Sequence, residues 1–145
     1  MSRDIAGIRT AYVETSSLLA AVLNEDPAAR RDLEITERRV TSALTIAEAR
    51  RAVTRDRISE RIDERQERAV LAAIDAFIAS CDVSAITTDI LLRAGRKFSV
   101  EPVRTLDAIH LATLESIGIP PRLVRVITRD RRVRDNAVAL GYAVD

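Results

Sequence analysis

The sequence predicts an α/β fold, a mainly parallel sheet with helices on both faces, and three observations carry that expectation. Short apolar runs recur at 10–13, 81–86 and 123–127, separated by stretches with helical periodicity. Each run is followed by a helix or a helix pair, the connection that a parallel strand order demands. The run Leu123 to Ile127 is rich in β-branched residues, as a strand covered on both sides requires. At 145 residues and 47% hydrophobic, the chain is long enough for one domain with a real core and short for two. A single domain over 1–145 is expected.

The elements follow in order. Thr10 to Val13 reads as a strand, and Thr15-Ser16-Ser17 can cap a helix through Leu18, Leu19, Val22 and Leu23. Asn24-Glu25-Asp26-Pro27 stops it and puts Pro27 in the first turn of a helix running from Ala28 to about Glu37. Val40 to Ser42 is a short strand, and a helix from about Ala43 carries Leu44, Ala47 and Val53 on one side. The charge-rich stretch Glu48 to Arg68 fits two helices joined near Arg57 to Ser59, the second continuing through Val70, Leu71, Ile74, Phe77 and Ile78. Cys81 to Ile86 is the next strand, and Thr87-Thr88-Asp89 caps the helix Ile90 to Arg96. Thr105 opens the helix Leu106 to Ile117, which Gly118 and Pro120 close. After the strand ending at Ile127, Asp130 to Leu140 is helical up to Gly141, and Tyr142 to Val144 forms a last strand.

Composition removes several function classes. Cys81 is the only cysteine and His110 the only histidine, which excludes disulfide frameworks, Cys-based zinc sites and paired-His metal motifs. The four glycines, Gly7, Gly95, Gly118 and Gly141, are scattered, so neither a dinucleotide fingerprint nor a Walker-type loop exists. A net charge of +1 does not announce a nucleic-acid binder, and the basic residues are nearly all arginine, with Lys97 the single lysine. The uncharged stretch Thr15 to Asn24 is too short to span a bilayer, and Met1 to Asp4 lacks the apolar core of a signal peptide. A cytoplasmic protein without membrane contact is expected.

Four acidic residues fall in or beside the first turns of predicted helices: Glu14, Glu48, Asp107 and Asp130. Glu14 and Asp130 also follow apolar strands, so a parallel sheet places them at its carboxyl edge, where open α/β folds bind ligands. Like charges gathered there call for a positive partner, and an oxygen-only donor set suits Mg²⁺ or Mn²⁺ rather than zinc. Each residue also has an ordinary explanation. Asp130 reads as a helix cap, and Asp107 as a first-turn acid favoured by the helix dipole. Glu48 reads as the partner of Thr45 in a capping box, or of Arg51 or Arg55 in an ion pair. Glu14 fits these roles poorly, because glutamate is a weak cap and a weak turn former.

Four segments taken together resemble the PIN-domain ribonucleases, and within them the VapC-type toxins of bacterial toxin–antitoxin modules. They are Tyr-Val-Glu-Thr-Ser-Ser-Leu-Leu around Glu14, Thr-Ser-Ala-Leu-Thr-Ile-Ala-Glu-Ala-Arg-Arg-Ala around Glu48, Thr-Leu-Asp-Ala-Ile-His-Leu-Ala around Asp107 and Val-Ile-Thr-Arg-Asp-Arg-Arg-Val around Asp130. The resemblance runs from about Ala11 to the C-terminus. It implies a three-layer Rossmann-like PIN domain and an acidic pocket for Mg²⁺ or Mn²⁺. Glu48, Asp107 and Asp130 match the family's second, third and fourth acidic positions. Thr15, Ser16 and Thr128 match polar positions near the metal. Glu14 stands where the family normally has aspartate, which moves its oxygens by about one methylene before a cation strict in its geometry.

The resemblance implies metal-dependent cleavage of RNA by Glu14, Glu48, Asp107 and Asp130, a homodimer, and a cognate antitoxin as partner. Arg104, Arg129 and Arg131 are candidate contacts to RNA phosphates, with a solvated helix face as their ordinary reading. The apolar side of the first helix and the region Ile58 to Ile78 are candidate partner surfaces, with core packing as the alternative. His110, one turn beyond Asp107, reads as a packing or hydrogen-bonding residue, Asp89 as a helix-start residue and Cys81 as a small buried hydrophobe. Two rivals are a PIN-like binding module weakened by Glu14, and an α/β phosphatase. The absence of an Asp-x-Asp motif at the first strand counts against the phosphatase.

Overall fold

The computed structural model describes residues 7–34 and 37–145. Its elements alternate as expected: β1 (Thr10–Val13), α1 (Thr15–Val22), α2 (Pro27–Leu33), β2 (Arg38–Ser42), α3 (Leu44–Ile58), α4 (Glu64–Ala79), β3 (Asp82–Ser84), α5 (Thr88–Ala94), α6 (Thr105–Ser116), β4 (Val124–Ile127), α7 (Arg131–Ala139) and β5 (Ala143–Val144), with a 3₁₀ turn at Pro121–Leu123. All ladders are parallel and the strand order is β3-β2-β1-β4-β5. The chain therefore runs outward from β1 through β2 to β3, then returns to place β4 on the other side of β1. The crevice between β1 and β4, at their carboxyl ends, is the topological switch point of the sheet.

The sheet is covered on both faces because its strands are apolar on both. Ala11, Val13 and Ile127 pack toward Leu33 of α2 and Phe77 of α4. Tyr12, Val40, Val124 and Val126 face Leu114 of α6 and Ala137 of α7. On the first side, Leu18 of α1 closes on Ala49 and Val53 of α3 and Ile74 of α4. Full burial of side chains such as Leu18, Ile74 and Leu114 contributes about 1.5–3 kcal/mol each.

Several boundaries differ from expectation for local reasons. The helix expected to reach Glu37 ends at Leu33, because Glu34 (ψ 56°) has left helical geometry; residues 35 and 36 of that reading lie outside the described residues. The strand expected over Cys81 to Ile86 shortens to Asp82–Ser84, an edge strand with only Val40–Ser42 to pair with. Cys81 is consequently half-buried beside the sheet rather than a core hydrophobe, and burial raises its thiol pKa. The link between α3 and α4 runs to Asp63, which caps α4 in a capping box with Gln66. At the end of α7, Gly141 takes φ +94° and donates to the Val138 carbonyl while Tyr142 donates to Ala137, satisfying the last turn.

Candidate active site

Each predicted carboxylate is positioned by a different element. Glu14 follows β1, its N–H pairing with the Ile127 carbonyl of β4 at 3.0 Å. Asp130 caps α7, with Oδ1 accepting from the backbone of Arg132 (2.8 Å) and Val133 (3.2 Å). Asp107 lies in the first turn of α6, and Glu48 in the second turn of α3. All four line one cavity of about 420 Å³ at the switch point, together with Thr15, Ser16, Arg104 and, from α3, Arg51 and Arg55. Glu14 and Asp107 are buried, at 4% and 7% exposure, so neither is a merely solvated charge.

Glu14 is held by hydroxyls. Ser16 and Thr128 both donate to its Oε2, the latter at 2.8 Å. Each hydroxyl in turn accepts a backbone N–H, Ser16 from Arg129 at 2.8 Å and Thr128 from Asp130 at 3.0 Å. A hydroxyl has one hydrogen, so accepting from the backbone leaves that hydrogen for the carboxylate. Ser16 and Thr15 thus serve the site and not, as their position suggested, the helix cap: the N-cap of α1 is Glu14, with no side-chain cap bond.

Glu48 is held through the only histidine. His110 Nε2 donates to Glu48 Oε1 at 2.6 Å, and Thr15 donates to the same oxygen at 2.8 Å. On the far side, the Tyr12 hydroxyl lies 2.7 Å from His110 Nδ1. Burial, then Glu14 and Glu48, hold the phenol pKa well above its usual value, so Tyr12 remains a neutral donor. A donor at Nδ1 and a carboxylate at Nε2 assign the proton of a neutral ring to Nε2. The hydrogen-bonding role expected for His110 is therefore present, and it reaches the pocket. The Thr45–Glu48 capping box does not form, because α3 begins at Leu44 and Thr45 turns inward to Thr41 (2.8 Å). Among the described residues Glu48 pairs with neither Arg51 nor Arg55.

The two aspartates share a guanidinium. Arg104, the N-cap residue of α6, reaches Asp107 Oδ2 at 3.1 Å and Asp130 Oδ2 at 3.3 Å. Its hydrogen bond and charge contact with Asp107, and then Asp130, raise its own pKa further. The other arginines predicted for RNA are placed differently. Arg129 pairs with Asp32 at 2.6 Å. Arg131, with 92% of its side chain exposed, leans on Asp135 and borders a separate cavity. Neither lines the acidic cavity. Asp89 stands in the first turn of α5, away from it.

The donor set fits a hard divalent cation. Four carboxylates and no soft ligand face one cavity, and Glu14 Oε1, Glu48 Oε2 and Asp107 Oδ1 accept no hydrogen bond among the described residues. As they stand, no three His, Cys, Asp or Glu side chains among the described residues gather closely enough to share one ion. The positive charge between the aspartates is that of Arg104.

Comparison with known proteins gives this geometry its family. The model of the PIN domain matches residues 11–139, nearly the whole chain. The chain belongs to the PIN-domain family. It is 36% identical over 135 residues to ribonuclease VapC46 of Mycobacterium tuberculosis, covering 92% of this chain and 94% of that protein. Among solved structures, VapC20 of M. tuberculosis, a toxin that cleaves the sarcin–ricin loop, superposes with a TM-score of 0.66 at 19% identity over 92% of this chain and 96% of that one. VapBC2 of Rickettsia felis bound to a promoter DNA fragment gives 0.64 at 10% identity, over 94% and 97%. At such identities the two structures speak for the PIN fold.

Tyr12 was not singled out by spacing, and Arg51 and Arg55 were read only as ion-pair partners of Glu48, not as residues lining the cavity. The arginines stand three and seven positions beyond Glu48 and share its helix face. Tyr12 carried no such signal, because its partner lies 98 residues away.

Proposed function

We propose that this protein is a metal-dependent endoribonuclease, the toxin of a VapBC-type toxin–antitoxin pair. The observation that carries the reading is the convergence of Glu14, Glu48, Asp107 and Asp130, from four separate elements, on one cavity at the switch point. Kinship with ribonuclease VapC46 supports RNA as the substrate class. Those four side chains would hold Mg²⁺ or Mn²⁺. Such a cation, when bound, supplies positive charge to the phosphodiester oxygens and acidifies water.

The remaining work belongs to the chain. Ser16 and Thr128 fix one oxygen of Glu14, and Thr15 with His110 fixes one oxygen of Glu48. No side-chain nucleophile is needed: water would form the new P–O bond as the P–O bond to the leaving ribose oxygen breaks, and the water's proton ends on that oxygen. Arg104 stands where it can meet a substrate phosphate beside Asp107. For the antitoxin we favour the larger cavity, about 660 Å³, where Val22, Leu33, Ile62, Val70 and Phe77 form an apolar floor and Glu25, Arg30, Glu34 and Arg61 a charged rim, a mixed surface suited to an amphipathic segment. Both surfaces expected for a partner meet there, although Leu18 itself is core. No helix among the described residues is long and apolar enough to cross a membrane; a cytoplasmic homodimer is proposed.

The test is RNA cleavage by purified protein in Mn²⁺ or Mg²⁺. Cleavage should vanish in chelator, and Asp107→Asn or Asp130→Asn should lower the rate by about a thousandfold or more. Intact RNA with either ion, or variants as fast as the parent, would remove the nuclease reading.

A further inference from the structure

Among the arginines near the cavity, those of α3 differ from the rest. Arg129 is tied to Asp32, Arg131 leans on Asp135, and Arg104 bridges two aspartates. Arg51 and Arg55 line the acidic cavity, are exposed, and form no ion pair among the described residues. They belong to one stripe. Glu48, Arg51 and Arg55 stand at i, i+3 and i+7, so the same face of α3 presents a carboxylate at the centre of the site and two guanidinium groups leading away from it.

A cation beside an acidic pocket normally collapses onto a carboxylate. Glu48 shares the helix face of Arg51, yet its Oε1 accepts from His110 and Thr15 and it pairs with neither arginine among the described residues. The hydrogen-bond chain from Tyr12 through His110 orients Glu48 toward the pocket, and both guanidinium groups stay outside any ion pair among the described residues. Arg51 and Arg55 are separated by about 6 Å along the helix axis, a step comparable with that between successive phosphates of an extended strand. Between and opposite them the cavity wall is aliphatic, with Leu19, Leu44, Ala52 and the exposed Leu106, and no aromatic side chain lines it. A base therefore finds apolar contact there but no stacking platform.

We propose that Arg51 and Arg55 form a phosphate track along α3 that leads single-stranded RNA to the carboxylates. The inference rests on the ribonuclease reading and deepens it. The track positions the strand by its backbone, so it carries affinity rather than base preference. It also makes Arg51 and Arg55, in place of Arg129 and Arg131, the residues that set substrate affinity.

The experiment is fluorescence anisotropy of a short labelled single-stranded RNA of mixed sequence in chelator, across a salt series. It uses the full chain, Arg51→Gln/Arg55→Gln and Arg129→Gln/Arg131→Gln. Circular dichroism and thermal melting check folding, which exposed, unpaired Arg51 and Arg55 should not disturb. The expected result for the α3 pair is an affinity loss of about tenfold and a shallower salt dependence, by about 0.7 per arginine in the log–log slope. The other pair should bind like the parent. Parental affinity and slope in the α3 variant would overturn the track, as would an equal loss in the Arg129/Arg131 variant. If the α3 variant keeps RNA affinity and loses an acidic protein partner instead, the stripe is a protein contact and the proposal fails. A parent that binds no RNA in chelator but cleaves it with Mn²⁺ would overturn the track and leave the ribonuclease reading standing, whereas a parent that neither binds nor cleaves RNA would bring down both.

Discussion

The two halves of the acidic cavity are built on opposite principles. Glu14 and Glu48 are held by hydroxyls and the imidazole: Ser16 and Thr128 on one, Thr15 and His110 on the other. Asp107 and Asp130 are held by a cation, Arg104, whose side chain is 65% exposed. The glutamate half has no arginine partner among the described residues and a geometry set by those donors. The aspartate half shares one positive charge between two carboxylates, carried on an arm at the surface. A site of this kind is preorganised where it is buried and exchangeable where it opens to solvent.

That contrast breaks most severely at His110. Replacing it with alanine removes the donor to Glu48 and the imidazole partner of the Tyr12 hydroxyl. Mn²⁺ affinity, measured by calorimetry, should fall by about ten- to a hundredfold, as for other residues that orient a ligand. Unchanged affinity would mean that Glu48 is not positioned by the ring. Glu14→Asp comes next. The shorter side chain retracts its carboxylate from Ser16 and Thr128, so Mn²⁺ affinity is expected to drop by about tenfold. A faster and tighter-binding enzyme would show the opposite, that glutamate attenuates the site.

The aspartate half should respond with the other sign. Arg104→Gln removes the resident cation, so Mn²⁺ binding should tighten a few-fold while the melting temperature in chelator falls. Weaker metal binding in this variant would mean that Arg104 supports the ion instead of competing with it. The smallest effect concerns Tyr12. Its pKa is raised in the folded state by burial, so its contribution to stability is complete below the ordinary tyrosine pKa, about 10, and is lost as pH rises above that value toward the raised one. Tyr12→Phe has no such proton to lose. Its melting temperature should decline less steeply than the parent's in an alkaline series, and parallel declines would contradict this.

Much of the fold was readable because local pattern and tertiary demand agree. The β-branched run ending at Ile127 is β4, the strand before Glu14 is the central β1, and Gly118 and Gly141 both take positive φ after helices. The readings that failed were those in which one residue had two possible employers. Thr15 and Ser16 have the chemistry of caps, yet each donates its hydrogen to a pocket carboxylate, which turns the hydroxyl oxygen away from the first N–H groups of the helix. Thr45 and Glu48 have capping-box spacing, but the helix begins two residues too early for it, with Ala43 at the cap. Cys81 looked like a core residue until β3 proved to be a short edge strand. Arg129 and Arg131 flank Asp130 in sequence, but Arg129 is drawn to Asp32 and Arg131 points out from the first turn of α7 toward Asp135.

Periodicity, caps and the order of strands are local properties, so the parallel α/β architecture and the four carboxylates at helix starts could be read from the chain. Which donor meets which carboxylate could not. Tyr12 and His110, Glu14 and Thr128, and Arg104 and Asp130 are joined across 98, 114 and 26 residues, and hydrogen bonds of a few ångströms depend on side-chain direction that only packing specifies. Tertiary structure therefore decided the character of the site: glutamates held by hydroxyls and an imidazole, two aspartates sharing one exposed arginine, and beside them two arginines outside any ion pair among the described residues.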